Sequence, residues 1–432
     1  MTATMRSAAA GISTRQVGKR GPKVTASKRS SQPAVPQRAA NTVRATGVLL
    51  ALVFGAIAVV NGLASLIPGL GPVSSAAARF APTIAPMATV VGAIVLGFGI
   101  VWLRRGRRWT GAAMTGFGVV STIANLAVVI VLLVAITSAG GSVNLFTATF
   151  GLSAIDSASP DRKEVYDKSS SGDDLSVSIY EPERAKGSAP TIMYVHGGGW
   201  IAGDPNAASS ELRELADHGY LVVSVEYELA TLDNATWQSA PSQVACAASW
   251  IQTHADTIGA DTDRLAFWGE SSGSNMVANT AGAAAQGDAE SSCGGKVPVP
   301  AAVIADYPAF DVTGLYENAP TGPGAGSGTR LFATSYTGGT PKEYPDRYSV
   351  ADSVTHLKAP APPMLMMTAM RDDVITPTDQ LSWAESARSR GVDVKTVKVP
   401  LANHAYTQKA KNSIGSQGHL SIAEAYLSEQ LR

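Results

Sequence analysis

The chain has 432 residues, 45% of them hydrophobic, with 34 basic and 34 acidic residues. The zero net charge conceals two unlike halves. Residues 1–150 contain fourteen Lys and Arg and no Asp or Glu, which leaves 20 basic and 34 acidic residues, a net charge of −14, in the rest of the chain. This asymmetry is typical of a membrane anchor joined to a soluble domain, and it excludes a uniformly basic or uniformly acidic protein.

The first predicted elements are a polar tail and three apolar segments. Residues 1–44 are rich in Ser, Ala, Pro, Lys and Arg without hydrophobic periodicity, so we expect a disordered basic tail. Three uncharged runs follow at about Thr46–Leu66, Met87–Leu103 and Ala112–Thr137, each close to the roughly 20 residues that a helix needs to cross a bilayer. Buried helices of a soluble domain are the alternative, but the absence of charges within the runs disfavours it. The sequence therefore predicts a three-helix transmembrane region over residues 45–140.

Flanking basic residues predict how these segments cross the membrane, because cytoplasmic loops carry an excess of Lys and Arg. The tail holds nine such residues and the loop Arg104–Arg108 holds four, whereas the loop between the first two runs has only Arg79. We therefore expect a multi-pass protein of the cell membrane, with tail and second loop cytoplasmic and everything after about residue 140 outside the cytoplasm. The basic clusters lie beside membrane segments without any nucleic-acid-binding fold signal, so no nucleic-acid partner is expected.

Residues 151–432 are long enough for one sizeable domain, and apolar strand candidates alternate there with helical stretches. This alternation predicts an α/β fold, a mostly parallel sheet with helices on both faces. The region Ala309–Tyr348 is rich in Gly, Pro, Tyr and Thr, and we expect it to cover part of a pocket above the sheet. Strands are expected near Leu175–Tyr180, Thr191–Val195, Leu221–Val225, Leu265–Trp268, Ala302–Ala305, Met364–Thr368 and Val392–Val399, and helices near Ser209–His218, Gln238–His254, Ser272–Ala285, Thr378–Arg390 and Ser421–Leu431.

Two glycine-rich motifs, each directly after a predicted strand, indicate the chemistry. Gly269–Gly273 reads Gly-Glu-Ser-Ser-Gly, the pattern of a sharp strand-to-helix turn with the nucleophilic Ser271 at its apex. The flanking glycines are required because a side chain there would collide with the neighbouring strand or helix. His196–Trp200 reads His-Gly-Gly-Gly-Trp, and its glycines leave backbone N–H groups accessible to an oxyanion. The expected oxyanion hole consists of the N–H groups of Gly198, Gly199 and Ser272.

A serine hydroxyl needs a base to take its proton and an acid to orient that base, and in such a fold both follow the serine, acid first. His404 lies just after the last predicted strand, where the base is expected. Asp372 and Asp373 follow the strand Met364–Thr368. The distance from the strand end favours Asp372 as the acid, with Asp373 as the alternative, and the other aspartate would make a turn or cap hydrogen bond. The predicted triad is Ser271, Asp372 and His404.

Other residues near the motifs receive secondary roles. His196 precedes the serine and is followed by glycines, so we expect it to hold its loop by hydrogen bonds. His356 is expected in a helix or turn, and His419 in a cap or on the surface at the start of the last helix. Glu270 should be partly buried, where it would organise the turn or shift the pKa of the base. Trp200 is expected either beside an acyl pocket or in the core.

Together these residues resemble the α/β-hydrolase superfamily, and within it the esterases similar to hormone-sensitive lipase, with the feruloyl- and acetyl-esterase-like branch a close second. The resemblance runs from about Tyr180 to the C-terminus and implies the α/β-hydrolase fold with the triad above. The chain departs from the family pattern within Glu226–Thr231 and at Glu270, Ser272 and Ser274, but these departures spare the nucleophile and the base. The residues that carry the resemblance are His196–Trp200, Glu226–Ala230, Gly269–Gly273, Tyr307, Pro308, Asp372 and His404.

The sequence thus predicts a membrane-anchored serine carboxylesterase that acts outside the cytoplasm on a small-molecule, lipid or glycan ester. No cofactor or metal is expected, because no ligand cluster is present. An acyltransferase that modifies envelope glycans or lipids with the same triad, and a non-catalytic binding module with a hydrolase-like fold, are the alternatives. Cys246 and Cys293 both fall in the half predicted to be extracytoplasmic. The sequence allows either a disulfide between them or two unpaired thiols.

Overall fold

The computed structural model describes residues 37–154, 157–183, 187–319 and 327–432. Residues 1–36 of the predicted basic tail therefore lie outside the described residues, and so do residues 320–326 of the region expected to cover a pocket. Residues 49–432 form one compact unit, and the described residues before it, 37–48, are helical.

Three long helices form the N-terminal region: α1 spans Gln37–Leu66, α2 spans Pro72–Arg104 and α3 spans Arg108–Ser138. The stretches Arg44–Leu66, Pro72–Arg104 and Arg108–Ser138 are each long and apolar enough to cross a membrane. A short helix α4, Leu145–Phe150, follows. The first helix begins inside the segment predicted as a tail, and the second begins well before its predicted start at Met87.

Helix α2 begins well before its predicted start, and the additional part contains two prolines, Pro82 and Pro86. Proline removes a backbone hydrogen bond and normally ends or kinks a helix, so the pattern placed the start of the segment after both. In the structure, the surrounding small residues pack against the rest of the molecule, and this burial offsets the missing hydrogen bonds. The buried residues of this part of α2 are Ser74, Ala77, Ala78, Ala81, Pro82, Thr83, Ala85, Pro86 and Ala88.

Close packing joins the three long helices. A Cβ atom on Gly118 of α3 would lie 2.4 Å from the backbone nitrogen of Leu96 on α2, so only glycine permits this approach. Small residues at helix crossings are typical of packing within membranes. A buried amide pair joins α1 to α3, since Asn61 Nδ2 donates to Asn125 Oδ1 at 2.8 Å.

The described residues of the C-terminal half form one eight-stranded sheet, in the order β1-β2-β4-β3-β5-β6-β7-β8. The pairs β1–β2 and β2–β4 are antiparallel and all others are parallel, which confirms the predicted mostly parallel sheet. The strands span Arg162–Lys168 (β1), Asp174–Tyr180 (β2), Ala189–Val195 (β3), Leu221–Val225 (β4), Ala260–Glu270 (β5), Ala302–Asp306 (β6), Met364–Ala369 (β7) and Val394–Val399 (β8).

Helices cover both faces of this sheet, because alternate side chains of its buried strands point to opposite sides. Ile192 and Tyr194 of β3 belong to one hydrophobic core, and Met193 and Val195 to the other. The helices are Ser209–Asp217 (α5), Ser239–Thr253 (α6), Ala255–Ile258 (α7), Ser272–Gln286 (α8), Val312–Glu317 (α9), Ser327–Thr337 (α10), Pro345–Ala351 (α11), Pro377–Ser389 (α12) and Ile414–Gln430 (α13).

Two elements differ from the sequence predictions for identifiable reasons. Strand β1 was not predicted, because it lies at the sheet edge and its sequence is mostly charged, with only Tyr166 buried. Helix α13 begins at Ile414, seven residues before the predicted Ser421, since Ser413 caps it by accepting from the Ser416 N–H at 3.0 Å. Glycines within its first turns had obscured the helical pattern.

The apolar helices and the sheet share one hydrophobic core. Leu132 and Ile136 of α3 pack in the same buried cluster as Ile414 and Ile422 of α13. A Cβ on Gly418 of α13 would lie 2.4 Å from the Ile136 side chain. The C-terminal half therefore rests directly on the ends of α2 and α3, rather than being joined to them only through a linker.

Of the two alternatives for the cysteines, the structure shows the disulfide. Cys246 lies within α6 and Cys293 in the loop after α8, with Cα atoms 5.4 Å apart and a sequence separation of 47. The bond ties this loop to the helix that packs behind the sheet.

Candidate active site

Ser271 lies at the apex of the turn between β5 and α8. Its φ of 52° falls in the left-handed region, which costs a non-glycine residue energy and is found where surrounding structure enforces it. A Cβ on Gly269 would lie 2.4 Å from the carbonyl carbon of Gly273, and one on Gly273 would lie 2.1 Å from the Val195 carbonyl oxygen on β3. The two glycines are thus required by close backbone contacts, for the steric reason the sequence suggested.

His404 connects the serine to an acid. Its Nε2 atom lies 3.2 Å from Ser271 Oγ, and its Nδ1 atom lies 2.8 Å from Asp372 Oδ2. The imidazole is 16% exposed and the Asp372 side chain is fully buried. The Tyr307 ring and the imidazole form a T-shaped contact, with ring centroids 4.8 Å apart. The structure therefore brings the three predicted triad residues together in one hydrogen-bonded chain.

The two adjacent aspartates point in different directions. Asp372 Oδ1 accepts from the backbone N–H groups of Val374 at 2.9 Å and Ile375 at 2.8 Å, which leaves Oδ2 for the histidine. Asp373 instead forms an ion pair with Arg79 of α2 at 3.1 Å. Of the two candidates, only Asp372 contacts the imidazole.

The glycine-rich loop after β3 faces the serine. Gly198 and Gly199 have φ values of 119° and 63°, which other residues rarely adopt. A Cβ on Gly197 would lie 3.2 Å from the Ser271 Cβ, so the loop passes directly over the nucleophile. Ser272 is the first residue of α8, where backbone N–H groups have no partner within the helix and the helix dipole favours negative charge. The structure thus brings Gly197 of the predicted oxyanion loop next to Ser271, and Ser272 directly follows the serine at the start of α8.

Helix α10, from the region expected to cover a pocket, packs on this loop. The Phe332 ring lies so near Gly199 that an added Cβ would come within 2.5 Å of it. Tyr336 stacks on Trp200 with ring centroids 4.4 Å apart, and both are fully buried. Of the two roles considered for Trp200, the structure shows core burial, with the indole packed on the Tyr336 ring.

His196 and His356 take no part in the hydrogen-bonded chain. The His196 ring stacks on Tyr227, its Nδ1 lies 2.7 Å from the Gly197 carbonyl oxygen, and burial lowers its pKa. It therefore holds the oxyanion loop in shape, as the sequence suggested. His356 lies in a turn with Nε2 2.7 Å from the Val350 carbonyl oxygen.

A buried charged cluster lies beneath the serine turn. Glu270 is 2% exposed rather than partly buried as expected, and burial, with the charges of Glu211 and Asp306, raises its pKa to about 8. The Gln408 amide donates to it. Burial alone would lower the pKa of His419, but Asp306 and Glu211 raise it well above its usual value.

The expectation of a cap or surface role for His419 was wrong. The residue is 1% exposed, and its ring nitrogens lie 2.7 Å from Asp306 Oδ2 and 2.6 Å from Glu211 Oε1. Because α13 begins earlier than predicted, His419 falls on a buried turn of the helix instead of at its start.

Sequence reasoning missed one polar residue beside the triad, Asn403. It is fully buried, and its Oδ1 accepts from the backbone N–H groups of His404 at 2.6 Å and Asp373 at 3.2 Å. Its position next to the predicted base was the only available signal, since a single Asn has no distinguishing pattern. Among the described residues, no group of three or more His, Cys, Asp or Glu is arranged to hold a metal ion.

Comparison with known proteins agrees with this architecture. Residues 177–385 match the family described as BD-FAE. The chain is 34% identical to esterase LipI of Mycobacterium tuberculosis over 98 residues, which are 22% of this chain and 29% of LipI. It is 26% identical to the probable carboxylic ester hydrolase LipM of the same organism over 250 residues, 56% of this chain and 55% of LipM. Both alignments cover less than two thirds of the relative's own length.

The fold also occurs among solved structures. Thermogutta terrifontis esterase 2, in a form phosphonylated by sarin, superposes with a TM-score of 0.52 at 20% identity, covering 62% of this chain and 94% of the esterase. The chain therefore has the α/β-hydrolase fold, as the sequence predicted. The chain is thus similar in part of its length to proteins named as esterases and to the BD-FAE family.

Proposed function

We propose that this protein is a serine carboxylesterase in which Ser271, His404 and Asp372 form the catalytic triad. The observation that carries the proposal is the position of His404, whose two ring nitrogens lie 3.2 Å from Ser271 Oγ and 2.8 Å from Asp372 Oδ2. A serine hydroxyl is a poor nucleophile without such a base, and the base needs an acid that fixes its tautomer.

The geometry supports acylation as the first step. Asp372 accepts from His404 Nδ1–H, so the unprotonated Nε2 faces Ser271 and takes its proton as Oγ attacks the ester carbonyl. The carbonyl oxygen becomes an oxyanion, which the N–H groups of Gly198, Gly199 and Ser272 bind. Each such donor contributes on the order of 10²–10³ in rate. Collapse of the intermediate breaks the ester bond, and His404 returns its proton to the departing alcohol.

Hydrolysis then completes the cycle. Water attacks the acyl-serine, His404 takes a proton from it, and the second oxyanion occupies the same hole before the carboxylic acid leaves and Ser271 recovers its proton. The substrate would be a small-molecule ester or a lipid or glycan ester. An acyltransferase would differ only in its acceptor, which replaces water at this step.

We further propose that the three apolar helices, within residues 45–140, cross the cell membrane and anchor a catalytic domain of residues 151–432. The helices α1 to α3 have the required length and composition. The excess of Lys and Arg in residues 1–44 and Arg104–Arg108 supports a cytoplasmic position for these segments, which puts the triad outside the cytoplasm. A disulfide between Cys246 and Cys293 fits an oxidising compartment.

The test uses the full chain in detergent micelles, with p-nitrophenyl esters of two to sixteen carbons and a fluorophosphonate probe that labels activated serines. We expect hydrolysis by the wild-type protein and covalent labelling of Ser271. Ser271→Ala should abolish both, and His404→Ala should lower kcat by about 10³-fold or more. The matched control is His356→Ala, which should leave kcat unchanged because that histidine lies outside the hydrogen-bonded chain.

Other outcomes would overturn the proposal. Hydrolysis that survives in Ser271→Ala would show that another group is the nucleophile. A folded wild-type protein that neither hydrolyses any ester nor reacts with the probe would instead be a non-catalytic module. Acyl transfer to a sugar acceptor in preference to water would identify an acyltransferase.

A further inference from the structure

Helix α2 is longer than a membrane crossing requires. Its 33 residues extend about 50 Å at 1.5 Å per residue, against a hydrocarbon thickness of about 30 Å. The charged end, Arg104, is the end predicted to be cytoplasmic, so roughly the first 13 residues stand above the hydrocarbon on the other side. Six of the twelve buried residues of the helix lie in that part, within 74–83, where the helix packs on the hydrolase domain.

The loops that carry the triad acid and base lie against this part of α2. Asn403 Nδ2 donates to the Ser75 carbonyl oxygen on the helix at 3.3 Å, while its Oδ1 accepts from the backbone N–H groups of Asp373 and His404. One buried amide therefore ties three chain segments together. Two of its three contacts are with His404 itself and with Asp373, the residue next to Asp372.

An ion pair adds a second connection between the same segments. Arg79, one turn further along α2 than Ser75, contacts both carboxylate oxygens of Asp373 at 3.1 and 3.2 Å. The pair is partly exposed, at 53% for the arginine and 26% for the aspartate, so its own stabilisation is modest. Its effect is geometric, because Asp373 immediately follows Asp372 in the loop that must hold the imidazole.

We propose that helix α2 supports the geometry of the active site. Asn403 and Arg79 are positioning residues that hold the loops of the triad acid and base against this helix. This inference rests on the proposed function. The transmembrane region then does more than anchor the enzyme, since the hydrolase domain reaches its full rate only when docked on α2. Misplacing catalytic groups by about 1 Å costs on the order of 10² in rate, so even a small shift of these loops is measurable.

The test is a double-mutant cycle on the full chain in detergent: Arg79→Ala, Asp373→Asn and the two combined. Each single variant should lower kcat by about 2- to 5-fold with KM unchanged, and the double variant should be no worse than either single one. Arg79→Lys should recover part of the loss. Asn403→Ala, which leaves buried N–H groups without a partner, should lower kcat by about 10- to 100-fold.

The matched control is the ion pair of Arg162 with Glu181, at 2.6 Å and similarly exposed, on the sheet edge away from the triad. The same cycle there, Arg162→Ala with Glu181→Gln, should leave kcat unchanged. Melting temperatures and the rate of fluorophosphonate labelling are measured for every variant. For the Arg79 and Asp373 variants, a positioning role predicts slower labelling of Ser271 at an unchanged melting temperature, which a purely structural role would not produce.

The results separate this inference from the proposed function. If wild-type activity depends on Ser271 but Arg79→Ala and Asn403→Ala keep wild-type kcat and labelling rates, the esterase stands and the role of α2 is refuted. An equal loss in the control cycle, or losses that only follow melting temperature, would also refute it. If Ser271→Ala retains activity, the proposed function itself fails.

Discussion

Replacing Asp372 with Asn tests the triad through the tautomer of His404. In the wild-type protein Asp372 Oδ1 accepts from the N–H groups of Val374 and Ile375, while Oδ2 faces His404 Nδ1. In the variant the amide oxygen must stay with the two backbone donors, because the amide nitrogen cannot accept from them. The NH₂ group then points at Nδ1 and forces it to be an acceptor.

The changed tautomer of His404 should abolish its function as the base. The ring proton moves to Nε2, the atom that lies 3.2 Å from Ser271 Oγ, so the base can no longer take the serine proton. Loss of the correct tautomer in a serine triad costs about 10³–10⁴ in kcat, equivalent to roughly 4–5.5 kcal/mol of transition-state stabilisation. Packing should hardly change, since Asp and Asn have nearly the same shape.

The assay compares kcat and KM for a short p-nitrophenyl ester in full-length Asp372→Asn and Asp373→Asn, together with their melting temperatures. Asp373 is the matched control, being the adjacent aspartate that faces Arg79 instead of the imidazole. Its variant should lose no more than about 5-fold in kcat. A larger loss in Asp373→Asn than in Asp372→Asn, or more than a tenth of wild-type kcat remaining in a folded Asp372→Asn, would refute the reasoning.

Two further predictions concern stability. Burial raises the folded-state pKa of Glu270 to about 8, so the folded state favours the protonated carboxyl group. The stability that this group contributes is fully present below its ordinary pKa and is lost as the pH rises through 8. The stability of the wild type relative to Glu270→Gln should therefore fall between about pH 5 and 8, by at least about 1.4 kcal/mol, and a pH-independent difference in melting temperature would contradict this. Combining Cys246→Ala with Cys293→Ser removes a cross-link over 47 residues and should lower the unfolding free energy by about 4 kcal/mol in denaturant titrations, whereas equal stability of this variant and the oxidised wild type would contradict the estimate.

The sequence was most informative where neighbouring residues alone decide the structure. The alternation of buried strands and helices predicted the sheet, because parallel strands buried on both faces read as continuous apolar runs. The glycine spacing around Ser271 predicted the strained turn, since Gly269 and Gly273 are required by backbone contacts a few residues away or on the next strand. Strand β1 was missed because it lies at the edge of the sheet, where its mostly charged sequence forms no apolar run.

Chain order also narrowed the candidates for the site. Ser271, Asp372 and His404 each follow the end of a strand, and ends of parallel strands meet at one edge of the sheet. The sequence could therefore select three residues that the structure joins by hydrogen bonds. It could not choose firmly between two adjacent aspartates, because that choice depends on the direction in which one loop turns.

Tertiary structure alone decided the remaining features, because each joins residues far apart in the chain. Asp373 pairs with Arg79 across 294 positions, and Asn403 contacts Ser75 across 328. His419 is buried because α5 and β6 bring carboxylates to its ring. No local pattern encodes such contacts, since they arise only when separate hydrophobic faces pack together. The sequence by itself determined an α/β-hydrolase scaffold behind apolar helices, and only packing made one of those helices a neighbour of the triad.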